Sequence, residues 1–175
     1  VLLLTKPLGI GVLSTAQKRG KLHEEHKHIG RDLMLKPNSI GTVLGTMEGV
    51  HALTDVTGFG LLGHLMEMCL GSDLSARLQY ADIPLISESV DYVKGGCYAD
   101  GALRNWKSVA AHVEGANSME RMMLLCDPQT SGGLLIACDP ALLPQLEELF
   151  TSAGEQFKCI GKLHGDTNNK RIIVG

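Results

Sequence analysis

One stretch constrains this chain more than any other: HALTDVTGFGLLGHLMEMCL, residues 51–70. Residues 50–53 read as the end of a buried strand, residues 54–60 as a turn, and residues 61–69 as a mostly apolar helix closed by Gly71 and Ser72. Gly58 and Gly60 permit backbone conformations and close approaches that a side chain would obstruct. A helix starting just after them aims free N–H groups and the positive end of its dipole into the turn, a place suited to phosphate. Asp55 stands where a carboxylate can hold a divalent ion against phosphate oxygens. The same pattern also fits a plain strand–turn–helix in which the aspartate only caps the helix.

The rest of the composition narrows the class. The chain has 175 residues, 44% hydrophobic and 20% charged, enough for one domain with a substantial core. No apolar run approaches bilayer length, and Val1-Leu2-Leu3-Leu4 is too short and lacks the basic flank of a signal peptide. These first residues read as a strand entered from an upstream segment, and a cytosolic (cytoplasmic) location is expected. Five scattered cysteines without a C-x-x-C argue against a disulfide framework or a zinc knuckle. Cys69, Cys138 and Cys159 sit in apolar runs and read as small buried hydrophobes. Cys126, beside Asp127, has no activating base nearby and also reads as structural. A net charge of −3 leaves no footprint for nucleic acid or an anionic membrane. Only residues 18–36 lean basic, with six Lys/Arg against three acids and no interleaved aromatic residue, so they read as a solvated connector. His23-Glu24-Glu25-His26 within it has histidines three apart, not the four of the zinc-binding helix, and reads as loop.

Strand and helix patterns alternate along the chain. Residues 1–4 read as a strand, 6–11 as a turn and 13–18 as helical. Residues 33–48 suggest a helix after Pro37 with Ile40, Val43, Leu44 and Met47 on one face. Residues 74–80 alternate as a half-buried strand, 85–93 form a helix, and 97–120 read as a surface loop flanking a helix near 108–113. Leu134–Cys138 is a strand, and Asp139-Pro140 opens a helix whose face is Leu142, Leu143, Leu146, Leu149 and Phe150. Residues 157–163 and 171–174 are the last strands. The expected architecture is α+β: a layered domain, residues 1–175, with a mixed sheet flanked by helices and the Asp55 turn at a sheet edge facing an open cleft. A second glycine turn, Thr130-Ser131-Gly132-Gly133, either holds an anion or is a tight turn into a buried strand. Asp127 is a further carboxylate beside it.

Three strings together resemble one family. Residues 55–65 (DVTGFGLLGHL), 4–9 (LTKPLG) and 127–135 (DPQTSGGLL) are similar to the C-terminal half of selenophosphate synthetase (selenide, water dikinase). That family belongs to the superfamily of aminoimidazole ribonucleotide synthetase, thiamine-monophosphate kinase and the hydrogenase-maturation dehydratase. The resemblance covers nearly the whole chain in the expected order. It implies the C-terminal fold of that superfamily, and an ATP-dependent phosphotransferase making selenophosphate from selenide, ATP and water, with AMP and phosphate released and Mg²⁺ required. It implies that Asp55 is the metal-binding aspartate contributed by this half, with Gly58 and Gly60 beside the nucleotide. It also implies that the nucleophile, the glycine-rich ATP segment and the other metal-binding aspartates lie in an N-terminal half. No catalytic residue is therefore assigned here, and this chain alone is expected to be inactive. The full-length protein would be a homodimer that pairs this domain with its N-terminal one. His64 belongs to the string, but reads more simply as a packed or capping histidine. Two rival classes remain: a related small-molecule kinase or synthetase of the superfamily, against which residues 55–65 argue, and a non-catalytic module that binds nucleotide or a partner.

Overall fold

The computed structural model describes residues 1–165 and 170–175. Its strands are β1 (Leu2–Leu4), β2 (Val50–Asp55), β3 (Ser75–Leu78), β4 (Val113–Glu114), β5 (Leu134–Cys138), β6 (Lys158–His164) and β7 (Ile172–Val174). They form one sheet in the order β2-β5-β1-β6-β3-β7-β4. Pairing is antiparallel from β2 to β3, and parallel from β3 through β7 to β4. The sheet is thus mixed, as expected.

The helices are α1 (Ile10–Lys18), α2 (Lys27–Leu35), α3 (Gly41–Leu44), α4 (Gly60–Ser72), α5 (Ser87–Lys94), α6 (Asp100–Val109), α7 (Met119–Leu125) and α8 (Leu143–Ser152). Both sheet faces are covered, which explains the unbroken apolar runs LLL and LLIAC of β1 and β5. Side chains of a strand alternate between faces. Leu2, Leu4, Leu135 and Ala137 therefore join the larger core with α1 and α4 to α7, whereas Leu3, Leu134, Ile136 and Cys138 join a smaller one. Ile40, Leu44, Leu146 and Phe150 close that second core, and Phe150 meets Phe157 edge-on with centroids 4.9 Å apart.

Several local expectations fail for identifiable reasons. Residues 18–36 are not simply a solvated connector: α2 occupies their second half, and Ile29, Leu33 and Met34 pack on the larger core. The helix expected after Pro37 shrinks to the single turn α3, where Ile40 and Leu44 are buried but Val43 is exposed. Residues 97–120 are mostly ordered in helices, and α6 lies upstream of the expected position. Helix α4 runs through Gly71 and Ser72 and ends at Asp73, whose left-handed backbone (φ 51°) lets Leu74 N–H reach Cys69 O. Ser75, which the alternation over residues 74–80 places opposite Leu74 and Ala76 on the polar side, is buried. Cys159, expected inside, is exposed. Asp139 opens a 3₁₀ turn before α8 without a side-chain cap; its carboxylate meets His51 Nε2 at 3.1 Å instead.

Candidate functional site

Asp55 is the last residue of β2, an edge strand, and lies opposite Leu134 of β5. The next residue turns inward: Val56 is fully buried and its N–H donates to Gly133 O at 2.8 Å. The chain thus leaves the sheet at Asp55 with that side chain exposed. Among the described residues its carboxylate has no hydrogen-bond or ion-pair partner. Helix α4 has Phe59 at its N-cap and no side-chain cap, so Asp55 does not cap it.

The two glycines of the turn have different reasons. Gly60 has φ 69°, and a Cβ there would come within 2.6 Å of the Cys126 backbone; glycine is required by packing. A Cβ on Gly58 would meet open space. The turn is pinned from outside. Thr57 O accepts from Gly60 N–H (3.1 Å) and Gln129 N–H (2.9 Å), and Asn105 Nδ2 donates to Gly58 O (2.9 Å) and Cys126 O (3.0 Å). Phe59, 57% exposed, stands over α4 where Gly63 leaves room: a Cβ on Gly63 would lie 2.5 Å from Phe59 Cβ.

His64, one turn into α4, is buried with Nε2 3.2 Å from Thr57 Oγ1 and Nδ1 3.4 Å from Glu67 Oε2. Its ring lies 5.7 Å from that of Phe59. It therefore braces the turn from below, a packed histidine rather than a free base.

The second glycine turn is structural to a degree the sequence did not reveal. Asp127 is completely buried, with Oδ2 accepting from Gly11 N–H (2.9 Å), Val12 N–H (3.2 Å) and Gln129 Nε2 (2.8 Å). Gln129 Oε1 accepts from Ile10 N–H. These two side chains cap α1 from more than a hundred residues away. Burial pushes the Asp127 carboxyl up to about 7, outweighing those hydrogen bonds. Residues 131–133 wedge between β1 and β2: a Cβ on Gly132 would sit 2.0 Å from Val56 O, and one on Gly133 2.4 Å from Lys6 N. Cys126 is buried, with its thiol pushed up to about 12 by burial and then by Asp127, so it is inert.

Chemically, the sheet end offers one unpartnered hard carboxylate beside a helix N-terminus and an open backbone at Gly58. Among the described residues no cluster of three or more His, Cys, Asp or Glu side chains is arranged to hold a metal. A magnesium ion needs about six oxygen ligands, so Asp55 fits as one ligand of a site completed by other groups. Asn105 and Gln129 are the residues that sequence reasoning missed. Both act on backbone atoms distant in the chain, a signal no local pattern carries.

Residues 1–174 match the family described as AIR synthase related protein, C-terminal domain. The chain is 47% identical over 173 residues to a selenide, water dikinase of Aeromonas hydrophila, covering 99% of this chain and 50% of that protein. It is 43% identical over 173 residues to one of Shewanella baltica, covering 99% and 49%. The chain thus spans about half the length of the curated relatives it matches. Among solved structures, thiamine-monophosphate kinase from Stenotrophomonas maltophilia superposes with a TM-score of 0.67 at 17% identity, over 99% of this chain and 49% of that one. Escherichia coli HypE, a hydrogenase maturation protein, gives 0.61 at 16% identity, over 100% and 46%. These likenesses carry the fold.

Proposed function

Because the chain belongs to the AIR synthase related family through its C-terminal domain, we propose that it forms, as a single domain, the C-terminal half of a selenophosphate synthetase. The observation that carries this reading is 47% identity along 99% of the chain to a selenide, water dikinase. The full-length enzyme converts selenide, ATP and water to selenophosphate, AMP and phosphate, in the cytoplasm and as a homodimer. Its nucleophile and remaining metal ligands lie in the N-terminal half, and this half completes the site.

Bound there, Mg²⁺ supplies charge neutralisation for the polyphosphate. Asp55 contributes one anionic oxygen from a rigid strand end. The unpartnered state of its carboxylate supports this, since a capping or ion-paired aspartate would have to break an existing bond first. Gly58 leaves the backbone open to a phosphate beside the N-terminal, positive end of the α4 dipole. Thr57, Asn105 and His64 hold that turn in place.

The test is Asp55→Asn in the full-length protein. Asn matches Asp in size, and Asp55 is exposed and caps no helix, so the melting temperature stays near wild type. Loss of a ligand charge lowers AMP formation by at least about 100-fold, with partial rescue by excess Mg²⁺. Unchanged turnover would show that Asp55 holds no metal.

A further inference from the structure

Lys6 has no part in the site above, yet it is one of the few buried charges of the fold, at 7% exposure. Its Nζ donates to Lys36 O (2.7 Å) and Ser131 O (2.8 Å). An ammonium carries three N–H groups, and the third has no acceptor among the described residues. Lys6 lines a cavity of about 480 Å³ together with Thr5, Leu33, Lys36, Glu155 and Gln156. That volume suits a small ligand.

The charges around this cavity are incompletely matched. Two ammonium groups, Lys6 and Lys36, share it with one carboxylate, Glu155, and none of the three forms an ion pair within 4 Å among the described residues. Burial lowers the Lys6 pKa, Glu155 opposes that and Lys36 adds to it. The Thr5 hydroxyl accepts from Leu134 N–H at 2.8 Å, which leaves its own hydrogen to donate.

We propose that this cavity is a binding site for a small molecule carrying a single phosphate group, either orthophosphate or a phosphomonoester. The third N–H of Lys6, the Lys36 ammonium and the Thr5 hydroxyl are its donors. Three donors from two chain segments, residues 5–6 and residue 36, suit the three oxygens of a tetrahedral phosphate better than a planar carboxylate. Glu155 disfavours a longer polyphosphate, and Leu33 leaves an apolar wall for an organic group. The cavity lies at the same end of the sheet as Asp55, across the 131–133 wedge, and the proposal does not rest on the reaction assigned above.

The experiment follows backbone amide NMR shifts of the chain titrated with orthophosphate, glycerol 3-phosphate or acetate at constant ionic strength. Phosphate produces saturable shifts at residues 5, 6, 36 and 155, complete by about 20 mM, and acetate does not. Lys36→Gln weakens phosphate binding at least about fivefold, and Glu155→Gln tightens it about threefold, because the two charges act with opposite sign. Among the described residues neither side chain makes a hydrogen bond. Tighter binding of glycerol 3-phosphate identifies a phosphomonoester as the occupant; equal binding identifies free phosphate. Absence of saturation, an equal response to acetate, or two variants that shift affinity in the same direction or not at all would overturn the proposal.

Discussion

Asp127→Asn separates a buried acid from a buried cap. In the folded chain the Asp127 carboxyl is fully enclosed, Oδ1 has no partner among the described residues, and burial raises its pKa from 3.8 to about 7. The unfolded chain loses this proton near its ordinary value. Between those two pH values the folded form therefore holds a proton that the unfolded form has released. Stability contributed by this group is greatest near and below pH ~4, declines as pH rises, and levels off above pH ~7. Some three units correspond to about 4 kcal/mol in all. The N-terminus of α1, facing the carboxylate, favours the anion by up to about 1 kcal/mol and reduces that figure. Between about pH 5 and pH 8 the expected loss is about 2 kcal/mol, or roughly 4–8 °C in melting temperature for a chain of this size. Asn at this position cannot ionise, so the variant lacks this slope whatever constant penalty it carries. Urea denaturation of both proteins across that range gives the difference directly, with other titrating groups cancelling. A wild-type-minus-variant stability that is flat, or that rises with pH, would refute the assignment of a protonated acid at the head of α1.

Three further outcomes follow from the packing around the turn and the burial of the thiols. Gly60→Ala, which drives a Cβ into the Cys126 backbone at positive φ, should cost about 2–4 kcal/mol by chemical denaturation, whereas Gly58→Ala should stay within about 0.5 kcal/mol. Asn105→Ala removes two hydrogen bonds to Gly58 O and Cys126 O and should cost about 1–3 kcal/mol, with faster amide exchange at residues 57–60 as the local signature. A thiol-labelling reagent should modify Cys159 in the native chain and reach Cys69, Cys97, Cys126 and Cys138 only on unfolding. Mass spectrometry of the labelled peptides decides that.

How much of this was readable in the sequence depended on the distance over which each signal acts. Strands β1 and β5 and helix α4 declare themselves as continuous or nearly continuous apolar runs, because they are covered on more than one side, and helix α8 through the periodicity of its single apolar face. The Asp55 turn lies at a sheet edge, as expected, but residues 50–53 read as buried, whereas β2 is an edge strand whose residues are all partly buried or exposed. Helix α2 hides because its apolar face, Ile29, Leu33 and Met34, is scattered among charges and histidines. The boundary of α6 was misplaced because Asp100 and Gly101, which look like turn residues, instead open the helix. The roles of Asp127, Gln129 and Asn105 were illegible for a different reason. Each satisfies backbone groups far along the chain, and a lone carboxylate beside a proline looks the same whether it faces solvent, a metal or the head of another helix.

The wedge formed by residues 131–133 has a mechanical consequence. It touches the backbone of Val56 on one side and of Lys6 on the other, at separations where not even a methyl group fits. Ser131 takes the left-handed conformation (φ 52°), and its carbonyl is held by Lys6. The ends of β1, β2 and the start of β5 are therefore not three independent loops but one stiff piece. Asp55 cannot swing without dragging the wedge, and the wedge cannot move without dislodging Lys6. A ligand meeting this end of the sheet finds the carboxylate's backbone already immobilised. Most of the entropy of ordering its position has been lost in folding, so little remains to be lost on binding.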